Sequence, residues 1–389
     1  MEKIIIINKT DGFYSDILKN KFSIKFKIIN YCLNVNSHKT ENEIINNIND
    51  IVNENDIKYL VAEGDYLSLI NFNFVKKINC QRKIFFLTDD YDMHEVNFIT
   101  AKIFDFIFTA CPISNLRYLE KGYKSYFVPL ESNKNLFKDF NIKKKFDISF
   151  FGAKKSNREI YLNYLRENNI NVELTGYNDK PNYNWDDLSK FISSSKIVLN
   201  FSNTGNKNKF YSHKSITHNF FSFKGRPIIV GLCNTLCISE YSPSNEMIYG
   251  KHIPNFKNKE ELLNLCKKLL SDDAYYEKIK NLFVKKSFEY EDHLYFKQVL
   301  DDVSFNEIQK KETKINLPFW YLQIFNNQRI RNLSKEKNLV VFLKETVNII
   351  FTKFNDNGIF HIPLLIETII KFPFIFTKIL WNKFKRSKN

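Results

Sequence analysis

Short apolar runs of strand length recur along this chain, and amphipathic stretches separate them. Residues 3–8, 57–62, 83–87, 104–109 and 125–128 form such runs, and a further strand candidate lies within 23–33. A run that is apolar on nearly every residue has no wet face, so it reads as a strand buried on both sides. Residues 41–54 instead place Ile44, Ile45, Ile48 and Ile51 at helical spacing. The runs stop at turn-forming or acidic residues: Asp11-Gly12, Glu63-Gly64-Asp65 and Thr88-Asp89-Asp90. Repetition of strand, helix, strand predicts an α/β fold with a parallel sheet covered by helices. No run reaches the ~18 uncharged apolar residues of a spanning helix. Only 10 Gly and 9 Pro in 389 residues exclude collagen-like or low-complexity architecture.

The pattern occurs twice. Near residue 140 the chain turns polar and basic, from Lys138 through Lys143-Lys144-Lys145, as an interdomain linker would. A second series follows, with strands predicted at 147–151, 171–174, 196–201, 227–230 and 235–238, and helices at 156–168, 185–194 and 259–270. Residues 1–140 and 141–302 thus read as two Rossmann-like, doubly wound domains, and 303–389 as a helical, basic and hydrophobic extension. Two such domains in tandem place a ligand in the cleft outside the carboxyl ends of their strands. No repeat of 20–50 residues suggests a solenoid.

Lys and Arg number 58 against 43 Asp and Glu, a formal charge of +15. That excess permits nucleic acid, anionic lipid or phosphate-bearing ligands. The abundance of Asn, Lys, Ile and Phe also reads as an AT-rich genome, which weakens charge as a partner signal. The 38 Phe and 20 Tyr sit in apolar runs, as core rather than stacking platforms, and the lysines are scattered, so no nucleic-acid partner is expected. The opening apolar run is too short for an export signal, and a cytoplasmic protein with reduced thiols is expected. Cys233 and Cys237 lack a second pair at zinc spacing, and His213 and His218 are five apart with no Glu after the first, so no metal site is expected.

Several segments, in order, resemble the spore-maturation (CgeB-type) glycosyltransferases, relatives of the group-one enzymes with the GT-B fold. Phe85-Phe86-Leu87-Thr88-Asp89-Asp90 is similar to that family's strand ending in an aspartate, and Phe104-Asp105-Phe106-Ile107-Phe108-Thr109 to its next strand. Tyr118 through Gly122, then Val128-Pro129-Leu130, follow its tyrosine, glycine and strand-proline stretch. Phe146-Asp147-Ile148-Ser149-Phe150-Phe151-Gly152, with Arg158 six residues later, resembles the start of its second domain. Ser195 through Ser202 resembles its serine, strand, Leu-Asn segment, and Lys224-Gly225-Arg226 is followed fourteen residues later by Glu240-Tyr241. The resemblance spans roughly residues 55–300. It implies a GT-B-like architecture and sugar transfer from a nucleotide-sugar. One departure stands out: Ile228 and Ile229 occupy positions where the family usually has Phe-Glu.

The departing nucleoside diphosphate is an anion, so its site needs cations or N–H donors. Gly152 at a strand end lets backbone approach a phosphate, with Lys154, Lys155, Arg158 and Arg226 as cations. The alternative is an ordinary surface turn with solvated lysines. Glu240, followed by Tyr241, closes another strand on the donor side. The resemblance gives its carboxylate a ribose or sugar hydroxyl pair to accept from, and the alternative is a helix N-terminal charge or a surface acid. Asn200 and Ser202 end a strand at the same cleft, where they contact donor or stabilise the turn. A base must remove the acceptor's proton. Asp90 best fits the family's aspartate, within a cluster of Asp89, Asp92 and His94, although acids there also cap loops. Asp11, Gly12 and Glu63 lie at the same edge on the acceptor side. No cofactor beyond the donor substrate and no metal is required.

The extension carries its own signal. Residues 359–389 hold Lys371, Lys378, Lys383, Lys385, Arg386 and Lys388 against Glu367, interleaved with Ile, Leu, Phe and Trp381. An interfacial helix on an anionic membrane surface fits, as does a helix pair packed on the first domain. The expectation is a cytoplasmic, membrane-peripheral bacterial glycosyltransferase acting on a cell-surface glycan, lipid-linked or other acceptor. The alternatives are a non-catalytic glycan- or nucleotide-binding module on the same fold, suggested by Ile229, and a nucleic-acid-binding protein.

Overall fold

The computed structural model describes residues 1–36, 39–64, 72–153, 156–176, 184–203 and 221–308. It also describes positions 315, 317, 318, 320, 321, 324, 366, 370, 373, 374, 377 and 381. The first series runs β1 (Lys3–Asn8), α1 (Phe13–Phe22), β2 (Lys27–Cys32), α2 (Glu41–Glu54), β3 (Tyr59–Glu63), β4 (Arg82–Leu87), α3 (Asp90–Ala101), β5 (Phe106–Thr109), α4 (Pro112–Glu120) and β6 (Ser125–Phe127). The second runs β7 (Phe146–Phe151), α5 (Ser156–Glu167), β8 (Val172–Thr175), α6 (Trp185–Ser193), β9 (Ser195–Asn200), α7 (Arg226–Leu232), β10 (Leu236–Glu240), α8 (Pro243–Tyr249), β11 (Asn255–Phe256), α9 (Lys259–Ser271) and α10 (Asp273–Phe288). A π-helical turn, Asp292–Phe296, then leads into α11 (Lys297–Phe305).

Each series forms one sheet, ordered β2-β1-β3-β4-β5-β6 and β11-β10-β9-β7-β8. Every pairing between these strands is parallel. The order reverses next to β1 in one sheet and β7 in the other, and the crevice at such a reversal is where doubly wound sheets take ligands. Both faces of the first sheet are covered. Ile5 and Ile7 of β1, with Phe85 and Leu87 of β4, join the core under α2 and α3. Ile4, Ile6, Ile84 and Phe86 point the other way, onto α1 and α11. This alternation explains why the runs are apolar at every position.

Two expectations are corrected. Residues 227–230 are not a strand but the body of α7, with Pro227 in its first turn. Proline is preset for a helix start, where its missing N–H has no partner to lose. The second domain's own core closes with α10. Phe296, Val299, Leu300 and Val303 return to the first sheet, so residues 292–302 pack with the first domain. Part of the extension does likewise: Tyr321 and Ile324 are buried in the first domain's core, and the Tyr321 hydroxyl shares a 2.9 Å hydrogen bond with Thr100.

The two passages between domains are tied by one buried ion pair. Lys21 of α1 and Asp292 are both 0% exposed and in direct contact. The lysine donates to Ser132 Oγ at 2.8 Å, and Ser132 Oγ donates to Asp292 Oδ1 at 2.7 Å. The Lys21 ammonium also lies 4.7 Å from the Phe296 ring centre. Burial pulls the Lys21 pKa down and pushes that of Asp292 up, and each partner opposes the other's shift. Removing one partner strands a buried charge. Asp292→Leu is expected to lower stability by about 3 kcal/mol in urea titration, and the double variant Lys21→Met/Asp292→Leu to recover most of that loss.

Candidate active site at the cleft

On the second domain's edge, β7 ends at Phe151 and the chain turns at Gly152, whose φ of +132° disfavours any side chain. A Cβ there would stand 2.8 Å from Arg226 Nη2 and 3.9 Å from Arg158 Nη1. The glycine therefore leaves room for two arginines. Arg226 Nε donates to the Phe151 carbonyl at 3.1 Å, and Nη1 donates to Asn200 Oδ1 at 2.6 Å. Its guanidinium lies 5.0 Å from the Phe150 ring centre, and that of Arg158 lies 5.5 Å from the same ring. Arg158 is buried and donates to the Ala153 carbonyl at 2.7 Å.

Both acceptors of Arg226 are neutral. Burial, and then the charge of Arg158, pull its pKa down to about 9. It stays cationic at neutral pH, at a cost that a nearby anion would relieve. The N-terminus of α5, four residues after Gly152, adds to the positive field. Sequence reasoning brought Gly152, Arg158 and Arg226 to one site, and the structure places them within contact of each other. It gives Arg226 a different setting, the first turn of α7. Ile228 and Ile229, at the positions of the resembled family's Phe-Glu, are buried in that helix.

Asn200 and Ser202 are fully buried. Asn200 Nδ2 donates to Ser239 Oγ at 2.8 Å, while its oxygen holds Arg226. Ser202 Oγ donates to the Glu240 carbonyl at 3.0 Å and accepts from Asn245 Nδ2. These bonds position Arg226 and the end of β10. Glu240 closes that strand, and its Oε2 accepts the Asn203 N–H at 2.7 Å. Burial raises the Glu240 pKa, against the N–H groups of residues 203 and 202. Tyr241 carries the Lys257 ammonium 4.9 Å from its ring centre.

On the first domain, Asp90 is 0% exposed and its carboxylate is occupied. Asn97 donates to Oδ1 at 2.8 Å, Thr109 to Oδ2 at 2.9 Å and Tyr118 to Oδ1 at 3.2 Å. A base must reach its proton, and this one faces its own domain's interior. Asp90 is a hub joining α3, α4 and β5. His94 belongs to the same cluster, with its ring centre 4.8 Å from that of Tyr118 and Nδ1 3.6 Å from Asp90. Asp89, one residue earlier, is exposed at the start of α3. Glu63 ends β3 half-buried. Asp11 is exposed and accepts from Asn30 Nδ2 at 2.7 Å, and Gly12, with φ +139°, caps α1. Asp65, Lys154, Lys155, His213 and His218 lie outside the described residues, as does the side chain of Asp92.

Four further residues reach the site, none of which the sequence assigns a role there. Tyr14 is exposed as a residue, yet its hydroxyl reaches a crowded spot. Burial there, with Glu131 and Asp89, pushes its pKa up to about 12, against Arg226. The Glu131 carboxylate packs on Gly225, where a Cβ would overlap it. Lys224 Nζ donates to the Tyr91 hydroxyl at 2.9 Å and lies 4.6 Å from that ring's centre. Tyr91 belongs to the first domain and Lys224 to the second, so this contact spans the cleft. The one sequence signal was position: Lys224 and Gly225 directly precede Arg226.

Solved structures share this fold. HepE from Anabaena, solved with UDP and glucose, superimposes with a TM-score of 0.55 at 10% identity, covering 79% of this chain and 100% of that one. Sucrose-phosphate synthase from Thermosynechococcus elongatus gives 0.52 at 10% identity, over 78% and 99%. A glycosyltransferase from Rickettsia africae gives 0.51 at 11% identity, over 79% and 99%. The chain has the GT-B fold. No family model matches its sequence, and no curated protein does.

Two expectations follow. Gly152→Ala forces strain and displaces Arg226, and should lower unfolding free energy by about 1–3 kcal/mol in urea titration. Burial raises the Glu131 pKa above the ordinary 4.5, so its ionised form costs stability above the folded-state pKa, and that cost disappears as pH falls below the unfolded value. Glu131→Gln should therefore melt about 2 °C higher than the parent at pH 8, with the advantage vanishing in acid, read by calorimetry across pH.

Proposed function

We propose that the protein is a glycosyltransferase of hexosyltransferase type, moving a sugar from a nucleotide-sugar to a cell-surface glycan, lipid-linked or other acceptor. The observation that carries this reading is the guanidinium pair of Arg226 and Arg158 over Phe150, at a sheet edge where Gly152 leaves space. The neighbouring folds support it, since HepE was solved with UDP and with UDP-glucose. Breaking the bond between the anomeric carbon and the diphosphate leaves negative charge on the phosphates, and preorganised cations there lower the barrier. The proposal gives that charge to Arg226 and Arg158, with Asn200 fixing the orientation of Arg226, and invokes no metal. One oxygen of Glu240 is held by Asn203, and the proposal gives the other to hydroxyls of ribose or sugar, beside Tyr241.

Acceptor-side acidity falls to Asp89, Glu131 and Glu63 rather than to the sequestered Asp90. The reading places the enzyme in the cytoplasm at the inner face of the plasma membrane, within reach of lipid-linked acceptors. Thermal-shift measurement against UDP, GDP, CMP and dTDP sugars tests the donor site. A ligand at about 100 times its Kd adds about 2.7 kcal/mol to the folded state, and Arg226→Ala should abolish the shift. No shift with any nucleotide overturns the donor reading. A shift with no transfer to an acceptor or to water makes the protein a binding module on this fold.

A further inference from the structure

Most large apolar side chains of this protein are inside it, but the far end of the chain departs from that rule. Ile366 is 50% exposed, Ile370 59%, Phe374 74% and Trp381 67%. Each occupies a helical position, as do Pro373 and Thr377. Relative to Ile366 they fall four, eight and fifteen residues on, and Thr377 eleven. At about 100° per residue these five lie within an arc of about 80°. The Thr377 hydroxyl does not make this arc polar, because it donates to the Pro373 carbonyl at 2.8 Å and the Phe374 carbonyl at 3.0 Å. That leaves the methyl as the group it presents. The result is one exposed apolar stripe, with an indole at its carboxyl-terminal end.

The charge of the same stretch selects what would cover this stripe. Residues 359–389 contain six basic residues, Lys371, Lys378, Lys383, Lys385, Arg386 and Lys388, and one acid, Glu367. Four of the six follow Trp381 within seven residues. A protein core offers no negative counterpart, and a second copy of this chain, at a net charge of +15, opposes the approach of the cluster. An anionic bilayer offers both parts, acyl chains for the stripe and headgroups for the lysines. Among the described residues, no helix is long and apolar enough to cross a membrane, so the stripe suits a helix lying in the interface. Indole rings favour that boundary, with an apolar body and a polar N–H.

We infer that the stripe Ile366, Ile370, Phe374 and Trp381, flanked by the terminal basic cluster, is a docking surface for an anionic lipid bilayer. The inference deepens the placement proposed above but stands on this segment alone, so lipid binding and nucleotide binding can fail separately. Tyr321 and Ile324, earlier in the extension, are buried against the first domain.

The test is co-sedimentation of the full chain with phosphatidylcholine vesicles, with and without phosphatidylglycerol. Retention by the anionic vesicles should exceed that by neutral ones at least about tenfold, and weaken as salt screens the headgroups. Phe374→Glu/Trp381→Glu should abolish retention, and Lys383→Glu/Lys385→Glu/Arg386→Glu should remove the anionic preference, both with the melting temperature and UDP response of the parent. Trp381→Phe should lose the lipid-dependent blue shift in tryptophan emission. Equal retention by both vesicle types, no retention by either, or retention unchanged in the stripe variant overturns the inference. So does a stripe that instead drives self-association, seen as a concentration-dependent mass that the stripe variant reduces to the monomer.

Discussion

A lysine without access to water sits where the two domains join, and the architecture depends on how it is satisfied. Lys21 comes from the first helix, Ser132 from the outgoing passage and Asp292 from the returning one. Neither Lys21 nor Asp292 would be tolerated there alone, because burying an isolated charge costs more than packing returns. Together they bind three remote stretches of chain at one point. Such a pair adds less to stability than its Coulomb attraction suggests, but its geometry admits few alternatives. The junction between the two sheets combines this polar knot with apolar contact, the Phe127 ring packing edge-on to Phe223 and Tyr290.

From that junction the site is built by the parallel sheets themselves. All strands of a sheet end on the same side, so Gly152, Asn200 and Glu240 arrive at one edge from β7, β9 and β10. The arginines converge because a glycine gives them room and a phenylalanine ring gives them a face. Asn200 holds Arg226, Ser202 holds the end of β10, and Asn245 ties Ser202 to Ser239. Cations are thereby fixed before any anion arrives, which is the arrangement that makes charge effective in a partly dry site.

The strands were legible because doubly buried strands must be apolar throughout, and in this chain little else is. Gly152 was legible as the turn at a strand end, and Arg158 through the family resemblance at the start of the second domain. The conformation around Arg226 was not: Pro227-Ile228-Ile229-Val230 has the composition of a strand, and only the packing of α7 against α10 and β10 decides for helix. Asp89 and Asp90 are adjacent in sequence and opposite in environment, a distinction set by Thr109 and Tyr118 from elsewhere in the fold. Tyr14, Glu131 and the Tyr91–Lys224 contact join positions about a hundred residues apart, and no local pattern encodes that.

Lys224 and Arg226 are separated by a single glycine. One bonds the opposite domain through Tyr91, and the other holds the cationic end of β7. Gly225 between them has no side chain and is pressed by Glu131 from across the cleft. The bond that spans the cleft and the guanidinium at the end of β7 thus hang on three consecutive residues of one chain segment.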